Sequence, residues 1–276
     1  MRLRSLLFVP GDRPERFAKA EASGADAIIL DLEDSVAASA KDRARDAVAA
    51  YLTGSAAVRR FVRINPVDGA YWQADLGCIA GADGIVLPKA QGAATVEALA
   101  GHIDAGLPIL PIATETPQAL FALGSFGSVA ERLCGLSWGA EDLSAAIGAV
   151  SSRREDGAFT APFEMVRGLA LFGAHAAGVA AIETVYPAIG DLAGLKGYAA
   201  RGSYDGFTGM LALHPAQVPV INAAFTPSEA EVAFARRVVE AFAAAPDAGV
   251  LKIDGRMIDA PHLAQARKIL ARAAVP

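Results

Sequence analysis

Glu115 and Asp142 are the residues of this chain whose setting most invites chemistry. Each follows an apolar run with strand character, Pro108–Ala113 before Glu115 and Leu133–Trp138 before Asp142. A carboxylate at the end of such a strand packs badly. It is well placed to hold a cation where the C-termini of parallel barrel strands converge. Both are hard oxygen donors suited to Mg2+, which takes a couple of carboxylates and leaves its other positions to water and substrate oxygens. The competing reading is helix N-capping, which Asp142, followed by Leu143-Ser144, would also serve. No His-x-x-x-His or Cys-x-x-Cys pair competes for a softer metal.

Further charged groups stand at other strand ends. Asp31-Leu32-Glu33-Asp34 closes the second apolar run. It could hold metal waters or orient an arginine, or be a solvated loop with Asp34 or Ser35 as a cap. Arg63 lies inside Val62-Arg63-Ile64-Asn65-Pro66, and a buried arginine must be paired or ligand-bound. Its fork suits a carboxylate or a developing enolate, and an ion pair with Asp31 or Glu33 is compatible with that role. Lys89, after Val86-Leu87-Pro88, reads as a charge partner of these acids more readily than as a Schiff-base amine, which would need desolvation. His214 is an acid–base candidate or a backbone-bonded side chain, while His102, His175 and His262 fall on helical stretches. The chain has no P-loop or Gly-x-Gly-x-x-Gly, which removes P-loop NTPases and ordinary dinucleotide enzymes.

The elements that must position these groups alternate along the chain. Strand candidates are Ser5–Val9, Ala27–Leu32, Arg60–Ile64, Gly84–Pro88, Pro108–Ala113, Leu133–Trp138, Ala181–Tyr186 and Gly209–His214. Between them lie amphipathic stretches such as Pro14–Ser23, Lys41–Leu52, Ala94–Ala105 and Phe163–Ala177. Apolar strands without alternation imply burial on both faces, and eight of them with intervening helices predict an α/β fold, a (β/α)8 TIM barrel. The pattern changes after Pro227 to a long helix Ser228–Ala245, a strand-like Val250–Ile253 and a last helix from Pro261. We therefore expect a catalytic barrel over 1–226 and a C-terminal helical extension over 227–276 that packs on the barrel or on a neighbouring subunit.

Composition narrows the function classes. A hydrophobic content of 53% supports a sizeable core, and a formal net charge of −5 argues against non-specific nucleic-acid binding. Cys78 and Cys134 lack metal-ligand spacing and read as buried reduced thiols. No apolar run reaches the ~18 residues of a membrane span. The basic-then-apolar start, Met1 to Pro10, is too short for a signal peptide and runs into Pro10-Gly11-Asp12-Arg13 in place of a cleavage site. It reads as the first strand of a cytoplasmic protein.

With these residues placed, the chain resembles the HpcH/HpaI aldolase/citrate lyase family, around the β subunit of citrate lyase and its stand-alone relatives. The matching stretches are Arg4-Ser5-Leu6-Leu7-Phe8-Val9-Pro10-Gly11, Asp31-Leu32-Glu33-Asp34-Ser35-Val36 with Lys41 and Ala44-Arg45, Val62-Arg63-Ile64-Asn65, and Leu87-Pro88-Lys89. Further on come Ile112-Ala113-Thr114-Glu115-Thr116, Gly139-Ala140-Glu141-Asp142-Leu143, Gly206-Phe207-Thr208-Gly209, and Leu213-His214-Pro215 with Gln217. Each is weak alone; in this order they are highly specific.

The resemblance implies a TIM barrel, a Mg2+ cofactor, and cleavage or formation of a C–C bond in a carboxylated 3-hydroxyacyl-CoA thioester such as malyl-, citramalyl- or citryl-CoA, giving an acyl-CoA and a 2-oxo acid. By position, Glu115 and Asp142 would hold the metal, Arg63 and Glu115 would contact substrate, and Asp31 and Glu33 would hold metal waters and Arg63. Lys19 matches a CoA-binding position, and is otherwise a solvated helix lysine. Asp259, in Asp254-Gly255-Arg256-Met257-Ile258-Asp259, would act as a catalytic base in the active site of a neighbouring subunit, or would cap the following helix. That implies a homo-oligomer, a trimer or hexamer. Two departures touch the thioester grip: Met210 stands where relatives have Lys, and Glu183 where they often have Asp. A thioesterase on the same metal site, or a non-catalytic subunit that docks an acyl-carrier protein, are the other functions considered.

Overall fold

Burial on both faces dictates the composition of the strands: Ala27–Asp31 and Gly84–Leu87 are buried at every position, which leaves no room for polar alternation. The computed structural model describes residues 1–274. Among them, eight strands form one sheet: β1 (Ser5–Pro10), β2 (Ala27–Asp31), β3 (Arg59–Arg63), β4 (Gly84–Leu87), β5 (Ile109–Pro111), β6 (Gly135–Ser137), β7 (Ala180–Glu183) and β8 (Gly209–Ala212). Their order is β5-β4-β3-β2-β1-β8-β7-β6, and the ladders are parallel.

Two bridges, Ile109 to Leu133 and Ile112 to Ser137, bring β5 against β6 and complete the expected (β/α)8 barrel. Ala113 N–H donates to Ser137 O at 2.9 Å and Cys134 N–H to Ile109 O at 3.0 Å across this seam. Pairing there is sparse, which is why β5 and β6 are shorter than the apolar runs that contain them. Leu6, Ile29, Phe61, Val86, Leu110, Ile182 and Leu211 fill the interior.

Helices cover the outside. Lys41–Leu52 forms as expected; Pro14–Arg16 is a 3-10 turn that continues into the helix Phe17–Glu21. Pro162 occupies the first turn of Ala161–Ala176, where its missing N–H costs nothing. Burial pushes the thiols of buried Cys78 and partly buried Cys134 up to about 12, so both stay protonated and inert.

The chain divides into two compact units, Leu3–Asn222 and a second that runs from Ala223 and includes Met1–Arg2. In the second, Ser228 and Glu231 form a capping box on the helix Glu229–Ala244. A hairpin follows, β9 (Val250–Ile253) antiparallel to β10 (Arg256–Asp259), and then the helix Ala260–Ala274. Val238, Ile258 and Ala266 lie at its core. Sequence reading found β9 but not β10. The signal was Asp254-Gly255, whose φ values of 50° and 79° suit a two-residue hairpin turn. No helix among the described residues is long and apolar enough to cross a membrane.

Candidate active site

The C-terminal ends of β2 to β6 converge on one charged cluster. Asp31, last in β2, and Arg63, last in β3, are register partners, so the ladder itself sets them side by side. Arg63 Nε donates to Asp31 Oδ1 at 2.6 Å and Nη2 to Oδ2 at 2.7 Å. Its Nη1 lies 2.9 Å from Glu33 Oε2, and its guanidinium sits 4.7 Å above the Phe8 ring. Burial opposes both charges, but each more than recovers from the other: Asp31 is held below the usual carboxylate range and Arg63 above its ordinary value. Burial raises the Glu33 carboxyl, and Arg63 and Lys89 only partly offset it.

The loop after β2 is clamped from behind. Lys41 Nζ donates to the carbonyls of Leu32 and Glu33 at 2.8 and 3.1 Å, and Asn65 Nδ2 to Leu32 O at 3.0 Å. Asn65 is fixed in turn by Asp75, which also pairs with Arg45. The supporting role of Lys41, Arg45, Asn65 and Asp75 was not assigned from sequence, where the first three entered only as parts of motifs. Asp31 and Glu33 are thus built features of the rim, 1% and 3% exposed, while Asp34 and Ser35 stay exposed.

Lys89 follows β4 with φ at 51°, a left-handed conformation uncommon for a side-chain-bearing residue. It aims the backbone N–H at Glu115 Oε2, 2.5 Å away, and the ammonium at Glu33, 3.1 Å from Asp142 Oδ1. Although burial opposes its charge, these acids hold Lys89 protonated, which removes the Schiff-base role.

Glu115 and Asp142 meet at the barrel seam. Glu115 is 4% exposed, and burial raises its carboxyl to about 8, with the charges of Asp142 and Glu33 adding to the rise. Neither acid caps a helix. Thr116, not Glu115, caps Pro117–Leu120, and the residue before Glu141–Ile147 is Ala140, with no side-chain cap. Gly139 is required by the same geometry, since a Cβ there would lie 2.9 Å from Glu115 Cγ. Thr114 Oγ1 and the Gly139 backbone exchange hydrogen bonds of 3.1 Å that pin the two strand ends together.

A buried carboxylate whose acidic neighbours are only partly offset by Lys89 fits a cation. Among the described residues no three His, Cys, Asp or Glu side chains form a ready cage. A cation here would therefore take Glu115, Asp142 and oxygens from outside the protein, the open coordination hard cations use at substrate sites. Beside the pair is a cleft of about 290 Å3, reached by Asp31, Arg63, Glu115, Glu141 and Asp142 and walled by Phe8, Trp138 and Leu211.

A second cleft, of about 450 Å3, lies next to it and holds Lys19 and His214. Arg16 lines both; sequence reading did not single it out within Pro14–Ser23. His214 Nδ1 accepts the Ala216 N–H at 3.2 Å and caps the following turn, the backbone-bonded alternative for this residue.

The two departures lie away from the cleft. Met210 is fully buried and precedes Leu211, which lines the cleft and faces the barrel interior; alternation turns Met210 to the opposite side. Glu183 is fully buried and accepts from Trp138 Nε1 at 2.6 Å, Arg167 Nε at 2.7 Å, Tyr198 Oη at 2.8 Å and Thr184 N at 3.0 Å. Asp259 belongs to the second unit, where Oδ1 pairs with His262 Nδ1 at 2.5 Å; that hydrogen bond holds its carboxyl below the usual range.

A model of the HpcH/HpaI aldolase/citrate lyase family matches residues 4–215. A citrate lyase subunit beta-like protein of Mycobacterium tuberculosis is 39% identical over 269 residues, 97% of this chain and 94% of the relative. A (3S)-malyl-CoA thioesterase of Cereibacter sphaeroides is 36% identical over 278 residues, 98% of this chain and 94% of that one. Among solved structures, the CitE protein of M. tuberculosis in complex with magnesium, acetoacetate and coenzyme A superposes with a TM-score of 0.84 at 38% identity, covering 99% of this chain and 98% of its own.

Proposed function

The chain belongs to the HpcH/HpaI aldolase/citrate lyase family, and we propose that it is a Mg2+-dependent carbon–carbon lyase. Its substrate would be a carboxylated 3-hydroxyacyl-CoA thioester of the malyl-, citramalyl- or citryl-CoA kind, and its products an acyl-CoA and a 2-oxo acid. The observation that carries this is the Glu115–Asp142 pair, a buried acid and its charged neighbour at a barrel rim, neither of which caps the adjoining helix. Bound by these two, Mg2+ would supply Lewis-acid polarisation of substrate oxygens and a counter-charge for the acids.

Arg63 turns three of its five N–H groups toward Asp31 and Glu33. The remaining two can donate to a substrate oxygen that gains negative charge as the C–C bond breaks, from a donor already fixed in place. Asp31 and Glu33 orient Arg63, the latter with Oε2 2.9 Å from Nη1. Lys19 and Arg16, on the second cleft, suit the phosphate-bearing arm of CoA. Asp259 of a neighbouring copy would be the base that removes the acyl-thioester α-proton in the condensing direction. This assignment requires a homo-oligomer, a trimer or hexamer, working on the CoA thioesters of the cytoplasm.

Product analysis tests the proposal. Incubation with malyl-CoA or citramalyl-CoA and Mg2+ should yield glyoxylate or pyruvate with no free thiol. The malyl-CoA thioesterase relative gives a second reading some support, in which water attacks the thioester on the same site. Free thiol with an intact hydroxy acid, and no oxo acid, would establish that reading instead.

A further inference from the structure

Lys89 holds both proposed metal ligands at once, and it does so where the barrel wall is least tied together. Pairing across the β5–β6 seam is sparse, and Glu115 and Asp142 follow the strands on its two sides. Like charges facing each other across such a seam repel unless a cation lies between them. Among the described residues, the cation paired with Asp142 is Lys89, its ammonium 3.1 Å from Oδ1. Its backbone N–H meanwhile donates to Glu115 Oε2 at 2.5 Å.

The ladder fixes the backbone on either side of this residue. Leu87, at the end of β4, is the register partner of Pro111 in β5, and Ala90 N–H donates to Ile112 O at 3.2 Å. Between them Lys89 takes a φ of 51°, a conformation that glycine adopts freely and that costs a lysine energy. A glycine would serve the turn and the N–H as well, so the ammonium is what this position gains from lysine. That ammonium is shared, 2.5 Å from Glu33 Oε1 and 3.7 Å from Asp34 Oδ2, and it keeps these partners if it leaves Asp142. The side chains of Lys89 and Asp142 are 27% and 32% exposed and have room to separate, whereas Glu115 is buried.

We propose that the Lys89 ammonium is a built-in stand-in for the metal: it neutralises Asp142 in the metal-free protein and cedes that carboxylate when a divalent cation binds, falling back on Glu33 and Asp34. The inference rests on the metal site proposed above for Glu115 and Asp142. An ion pair that must break is a competitor of the metal, and an ammonium left beside a divalent cation repels it. Both effects make Lys89 weaken metal binding while it steadies the metal-free seam. A lysine that only held Asp142 in position for the metal would do the opposite and strengthen binding.

Calorimetric titration of Mg2+ into the metal-free full-length protein at pH 8 tests this without any turnover. Two variants are compared with the wild type: Lys89→Met removes the charge and keeps the backbone N–H, and Lys89→Arg keeps a cation. Lys89→Met should bind Mg2+ at least about 5-fold more tightly than the wild type, the scale of one partly exposed ion pair. Lys89→Arg should stay near the wild-type affinity. Metal-free Lys89→Met should also melt lower, and a given Mg2+ concentration should raise its melting temperature by more than it raises that of the wild type. If Lys89→Met is unfolded without metal, recovery of its far-UV circular dichroism on adding Mg2+ reads the same replacement of charge, and no recovery counts against it. Equal or weaker Mg2+ binding by Lys89→Met, or an equal gain in Lys89→Arg, would overturn the inference and leave the metal site intact. A wild-type protein that binds no Mg2+ would remove the site and this inference with it.

Discussion

Two buried carboxylates at strand ends of the barrel, on either side of β6, differ in almost everything but burial. Glu183, at the end of β7, receives four hydrogen bonds, one of them from Arg167, and is 0% exposed. Glu115, after β5, receives the Lys89 backbone N–H; burial and the charges of Asp142 and Glu33 raise its carboxyl to about 8, and the nearby cation Lys89 only partly offsets them. A saturated buried acid stabilises the fold and holds its neighbours in place. An acid left short of positive charge at a rim has been placed for something that arrives from outside. The geometry of donors, more than burial, separates a structural carboxylate from a ligand-binding one.

That contrast predicts opposite mutational signatures. Glu115→Gln should lower Mg2+-dependent turnover by roughly a thousandfold or more, several kcal/mol of barrier. In the metal-free protein its melting temperature should hold below pH 8, where Glu115 is already protonated, and rise above it, where the amide removes the repulsion with Asp142; scanning calorimetry and a product assay read the two effects. Glu183→Ala should do the reverse first, costing about 3–5 kcal/mol of folding stability by stranding the buried Arg167, Trp138 and Tyr198 donors, as measured by urea unfolding. If Glu115→Gln were the unstable variant and Glu183→Ala the stable one, the assignment of roles would be inverted.

Arg63→Lys keeps the charge but loses the planar fork that binds Asp31 through two nitrogens. We expect kcat to fall about 100-fold, with little change in the affinity for Mg2+, which Glu115 and Asp142 set. A smaller effect follows from pH. In the metal-free protein the raised Glu115 carboxyl keeps its proton until about pH 8. Mg2+ must displace that proton, so its apparent affinity should climb by up to ~10-fold per pH unit below 8 and flatten above. The same shift makes the metal-free fold lose stability as pH rises from the ordinary carboxylate range through 8, a loss that Mg2+ should offset. A flat affinity profile from pH 6 to 9 would mean that Glu115 is already ionised and partnered like Glu183.

Much of this was legible in the sequence because it is local. Unalternated apolar runs announce a parallel sheet, and a charged residue just beyond such a run lies at the rim whatever the details of closure. The Asp31–Arg63 pair also followed, since a buried arginine requires an acid and the nearest strand ends in one. What escaped depends on direction or on distance in sequence. Met210 and Glu183 looked like changes to the thioester grip. Side-chain alternation sends Met210 away from the cleft, and partners at positions 138, 167 and 198 claim Glu183. Arg16 was missed because a short 3-10 turn gives no periodicity that would mark one side chain as facing a cleft. The clamp from Lys41 and Asn65 was missed because it acts through backbone carbonyls, which leave no trace in residue type.

The contrast between Glu115 and Glu183 is tested most directly by titrating Mg2+ into the purified metal-free protein and its variants by calorimetry at pH 8. The wild-type protein should bind one Mg2+, Glu115→Gln and Asp142→Asn should lose that binding, and Arg63→Lys should retain it. Undiminished Mg2+ binding by Glu115→Gln would contradict the assignment of the metal to the β5–β6 seam.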